Sequence, residues 1–87
     1  MIIEKIDSIR EKLDELVTGN VKVEVCWQVG DLVAKAIGTI ATTPYGYLVF
    51  VWAEDGGDAS VEFGHRHVAR IDDGRDLGKG IEILLRA

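Results

Sequence analysis

The sequence predicts a mainly β domain: one N-terminal α-helix, then a small, strongly bent antiparallel barrel of about five or six strands. Three observations predict it. The first eighteen residues carry a helical apolar stripe, the period drops to two after Asn20, and turn signals then recur at short intervals. A chain of 87 residues has room for one core, so residues 1–87 are read as a single domain: helix over 2–18, barrel over 21–71, loop over 72–80 and C-terminal strand over 81–87.

In the helix, Ile2, Ile6, Ile9, Leu13 and Leu16 recur at spacings of 4, 3, 4 and 3, with charged residues on the other faces. The stripe suits either a helix lying on a sheet or a two-helix seam. Thr18-Gly19-Asn20 is the stop, with Gly19 expected in the left-handed C-cap conformation. Val21, Val23, Val25 and Trp27 then alternate with Lys22, Glu24, Cys26 and Gln28, a half-buried strand with its odd residues inward. Val29-Gly30-Asp31 turns the chain into an Ala-rich strand over 32–42, where Gly38 marks a bulge or bend.

Thr43-Pro44-Tyr45-Gly46 turns again, and Tyr47 to Ala53 is apolar on both faces, a pattern that asks for cover by the helix or by another subunit. Glu54 to Asp58 reads as a hairpin loop, Ala59 to Phe63 as the next strand, and His67 to Ile71 as a short strand after Gly64-His65-Arg66. Asp72 to Gly80 reads as an exposed loop and Ile81 to Leu85 as a last strand.

Net charge is −5, which excludes a generic basic nucleic-acid coat. The acidity lies in the helix and in 54–76, while 21–53 sums to zero. The longest apolar run is far shorter than the ~20 residues that span a bilayer. Met1-Ile2-Ile3 meets Glu4 and Lys5 at once, so no secretory leader is read, and the lone Cys26 suits a reducing compartment; the expected location is cytoplasmic.

The pattern resembles the Sm/LSm-like group of ring-forming RNA-binding proteins. The residues that carry the likeness are Val21 to Val25, Gly30-Asp31, Gly38-Thr39-Ile40 and Tyr45-Gly46-Tyr47-Leu48-Val49-Phe50. Phe63, Val68 and Ile71 follow at offsets of five and three. The family's Asp and Asn that read the base have no counterpart here, and Gly64-His65 stands where it has Arg-Gly. An SH3-like barrel fits Val29 to Val33 and Gly38 to Ile40 equally well. Type II dihydrofolate reductases share the spacing too, but Val61-Glu62-Phe63-Gly64 lacks their glutamine and tyrosine. The resemblance implies a homo-oligomer that binds single-stranded RNA, with Thr43, Tyr45, Tyr47, His65, Arg66 and His67 at the nucleic-acid site.

Residue chemistry supports that assignment only in part. Aromatic rings stack on bases and a guanidinium pairs with phosphate, yet Tyr45 and Tyr47 serve equally as barrel cover, with Arg66 neutralising Glu62. On a strand, His65 and His67 would face one side and chelate zinc if a third ligand came from Asp58, Glu62 or Cys26; a polar rim is the simpler reading. Cys26 has no base placed beside it by sequence, so no catalytic residue, metal or cofactor is assigned. Two further functions stay open: a protein-interaction or scaffold module without a membrane partner, and a small enzyme with its site between subunits.

Overall fold

The computed structural model describes the backbone of residues 1–52 and 58–86, and the side chains of 1–49 and 60–86. Its elements run β1 (Ile2–Ile3), α1 (Ile6–Thr18), β2 (Lys22–Val29), β3 (Leu32–Thr43), β4 (Gly46–Trp52) and β5 (Asp58–Phe63). A 3₁₀ turn (His65–His67), β6 (Val68–Asp73), a second 3₁₀ turn (Arg75–Leu77) and β7 (Ile81–Leu85) complete it. The mainly β class with one helix is as expected; the barrel is not. One mixed, unclosed sheet of seven strands runs in the order β1-β6-β7-β2-β3-β4-β5.

β7 is the physical reason. Closing the expected barrel would need the strand that follows β5 to pair with the free edge of β2. Here β7 takes that edge of β2 in parallel register, Val23 opposite Ile81 and Val25 opposite Ile83. β6 is displaced one place outward and pairs antiparallel with β7, leaving β5 at one end of the sheet and β1 at the other. Ile2–Ile3 joins this sheet beside Asp72 and Ile71 instead of extending the helix, as two β-branched residues favour.

The helix therefore starts at Ile6, and its buried face is Ile9, Lys12, Leu13 and Leu16. Ile2 and Ile6, the first two residues of the sequence stripe, are exposed. The stop also differs from expectation. Gly19 keeps a right-handed φ of −78°, and Asn20 takes the left-handed conformation at φ 52°. Asn20 N–H donates to the Val17 carbonyl and Val21 N–H to the Leu16 carbonyl, closing a Schellman motif that turns the chain into β2.

α1 lies on the inner face of the curved sheet. Ile9, Leu13 and Leu16 pack with Val23, Val25, Ile40, Val49, Phe63, Val68, Ile71, Ile81 and Ile83 in one core. Phe63, Val68 and Ile71, the apolar trio spaced at offsets of five and three, are thus core residues. Gly38 stays in unbroken register opposite Val23, so there is no bulge. The change comes just beyond it: β3 pairs with β2 up to Thr39 and with β4 from Ile40. The expected hairpin loop over 54–57 and the end of the apolar run at Ala53 lie outside the described residues. Asp72 and Asp73, read as loop, extend β6.

Candidate functional site

Most of the expected site residues meet at one corner. Gly46, at φ +147°, sits so close to β5 that an added Cβ would lie 2.5 Å from the Phe63 carbonyl oxygen and 3.0 Å from Gly64 Cα. The β3–β4 turn is therefore held against the start of the 3₁₀ turn. Thr43 Oγ1 accepts the Tyr45 amide at 3.1 Å, a local bond that shapes the turn. Tyr45 is 83% exposed.

Two of the six are used internally. Tyr47 is 6% exposed, stacks on Phe63 with ring centroids 6.1 Å apart, and donates its hydroxyl to Asp14 Oδ1 at 2.7 Å. Burial, then that bond to a carboxylate, pushes its pKa up to about 12. It is a brace between β4 and the helix, and its ring is not presented to a base. His65 and His67 lie on a 3₁₀ turn, not on one strand face. His67 Nδ1 accepts the Gly64 amide at 2.9 Å, which leaves Nε2 as the protonated nitrogen of the neutral ring. The strand geometry for a two-histidine zinc site is absent. Arg66 is exposed and has no ion pair with Glu62 among the described residues.

The outer face of the sheet holds the groups that sequence reasoning missed. Asp72, Glu82 and Glu24 stand side by side across β6, β7 and β2. They floor a groove of about 530 Å³ rimmed by Lys22, Lys79 and Ile37. Lys35 Nζ lies 3.2 Å from Glu24, and the Met1 amine 3.8 Å from Asp72, so both ends of the row are neutralised. Glu24, Cys26 and Glu82 have ligand atoms within 4.8 Å of one another, the grouping of described residues that is close enough to share an ion. Cys26 points outward as expected but is buried. Burial first, then Glu82 and Glu24, push its thiol pKa up, the opposite of what a nucleophile needs.

Beyond this row lies the β2–β3 hairpin. A two-residue turn with Gly30 at φ 60° joins Val29 to Leu32. In such a hairpin the closing residues exchange both hydrogen bonds, so Leu32, Ala34, Ala36 and Gly38 point their amides at β2. Val33, Lys35, Ile37 and Thr39 point theirs the other way. On that side, among the described residues, β3 pairs with β4 over Ile40–Thr43, and β4 itself runs on to Trp52. The edge is apolar as well: Leu32 is 73% exposed, Val33 66% and Ile37 49%. An alternation of Val33, Lys35 and Ile37 was the available signal, but the Ala-rich strand reads as apolar on both faces.

No family model matches the chain, and neither a curated protein nor a solved structure matches it.

Proposed function

We propose that the protein is a non-enzymatic interaction module that recruits an extended strand of a protein partner along the free edge of β3. The observation that carries this reading is the exposed apolar stretch at the start of β3, Leu32 and Val33 with Ile37 beyond, where Leu32 to Ala36 have no strand partner other than β2 among the described residues. Natural sheets normally cover or charge such an edge. Here its one charged residue, Lys35, is already paired with Glu24.

The Sm-like RNA reading has less support. Tyr47 and His67 are committed to internal hydrogen bonds, and phosphate binding has to overcome a net charge of −5. A ¹⁵N-labelled sample decides between the two. A peptide copying residues 31–40 should shift the amides of Val33, Lys35, Ile37 and Thr39. U-rich and A-rich oligonucleotides at low salt should shift none. Oligonucleotide binding that Arg66→Ala and Tyr45→Ala both abolish would overturn the proposal in favour of the RNA site.

A further inference from the structure

We infer that Glu24, Cys26 and Glu82 form a binding site for a borderline-soft divalent cation of the Zn²⁺ type, independent of the strand edge. The strand geometry assembles it. Glu24 and Cys26, two residues apart on β2, project from the same outer face. β7 runs parallel to β2 with Glu82 directly opposite Glu24. One carboxylate oxygen from each glutamate and the Cys26 sulfur lie within 4.8 Å of one another, a triangle that one ion can span.

Two observations set this group apart from an ordinary acidic surface. The first is the like-charge pair. Directly opposed carboxylates destabilise a sheet, and Lys35 meets Glu24 alone, leaving Glu82 without an ion pair among the described residues. The second is Cys26. Its outer-face neighbours along β2, Lys22 and Gln28, are exposed, yet Cys26 is only 5% exposed. Its thiol donates to Glu24 at a long 3.7 Å and, among the described residues, has no partner outside the group. A divalent cation supplies what all three side chains lack. It neutralises the opposed carboxylates and takes the sulfur as thiolate, the thiol proton leaving to solvent.

The donor set selects the ion. Two carboxylates and a thiolate suit tetrahedral Zn²⁺, whereas Mg²⁺ and Ca²⁺ ask for oxygen ligands alone. Three protein ligands leave a fourth position for water. The adjoining groove of about 530 Å³, which Glu24 and Glu82 both line, is the way in. Lys35 competes for Glu24, but its side chain is 60% exposed and free to swing into solvent. Once held, the ion ties β2 to β7, the parallel pair in the middle of the sheet.

Cadmium tests the site directly, because a Cd²⁺–thiolate bond gives an ultraviolet charge-transfer band that carboxylates lack. Titrating the full chain, kept reduced without added thiols, should give a band that saturates at one ion per chain below about 1 mM. Zn²⁺ should displace the Cd²⁺, and Mg²⁺ or Ca²⁺ should not. Glu24→Gln and Glu82→Gln relieve the like-charge pair and so keep the fold; each should weaken binding at least about tenfold. Asp72→Asn, opposite Glu82 on β6 but outside the group, should leave the affinity unchanged. Zn²⁺ should raise the melting temperature of the parent and not that of Cys26→Ser. No band by about 1 mM Cd²⁺ would overturn the site. So would a band of equal affinity in both glutamine variants, the mark of a thiol binding alone. An equal loss in Asp72→Asn and Glu82→Gln would overturn it too, since the acidic face would then attract cations without a defined ligand set.

Discussion

Lys12 and Asp73 join the helix to the far end of β6, with Nζ and Oδ2 2.7 Å apart and both side chains buried. Arg75 closes the arrangement as a fork, Nε to Oδ1 at 2.9 Å and a terminal nitrogen to Oδ2 at 2.7 Å. Those bonds, Arg75's first and Lys12's second, hold the Asp73 carboxyl well below the usual carboxylate range. Its folded pKa is depressed, so its stabilising effect is complete above the unfolded value of about 4 and disappears as pH falls through the lower folded one. Asp73→Asn should cost about 2 kcal/mol at neutral pH, seen as a fall of roughly 8–16 °C in melting temperature, and should flatten the acid side of the stability profile. Tyr47 gives the opposite sign. Its folded pKa is raised to about 12, so its contribution is complete below the unfolded value of about 10 and vanishes as pH climbs toward 12. Tyr47→Phe should melt about 4–8 °C lower at pH 7 and lose less than the parent between pH 10 and 12. Neither role was legible in sequence. Tyr47 resembled a stacking residue, and Lys12 lay among helix charges that read as solvated, because a partner distant in sequence leaves no local periodicity.

Where residues act through a repeating pattern, the sequence was far more legible. Ile9, Leu13 and Leu16 are buried as their spacing requires, and Val23 and Val25 face inward as their alternation requires. Element ends were less legible, since they depend on a few backbone bonds. The left-handed cap fell on Asn20, one residue beyond the glycine suited to it, because the Schellman bonds to Leu16 and Val17 fix the position. At the other end, Lys5 is the N-cap and makes no side-chain bond to the first turn. Lys5→Asp should supply the missing acceptor and favour the helix dipole, raising stability by about 0.5–2 kcal/mol in a denaturant melt. Leu13→Asp should have the reverse effect. Leu13 is fully buried, so the carboxylate would have to enter the core, and cooperative melting by circular dichroism should be lost. Melting like the parent would mean that α1 is not integral to the core.

At the scale of the whole molecule, the decisive event is the arrival of the last strand in the middle of the sheet. Nothing in Ile81 to Leu85 taken alone reveals this, since five mostly apolar residues fit an edge or a centre equally well. The strand's neighbours decide: β7 pairs with β2 on one side and β6 on the other, and Ile81 and Ile83 are buried against the helix. The C-terminal segment is therefore predicted to be a central structural strand, the reverse of the usual tolerance of chain ends to trimming. Removing residues 81–87 would strip the ladder partners from β2 and β6 together and open the core beneath α1. The shortened chain should lose cooperative unfolding and native amide dispersion. By contrast, removing residues 1–3 deletes only a two-residue edge strand and should lower melting by less than about 10 °C. Amide exchange offers an independent check on the intact protein: the amides of Ile81 to Leu85 should be among the slowest. A folded, cooperatively melting chain lacking 81–87 would show that β2 and β6 can close on each other directly, and the compact barrel suggested by the alternating pattern would then be the sheet's alternative arrangement.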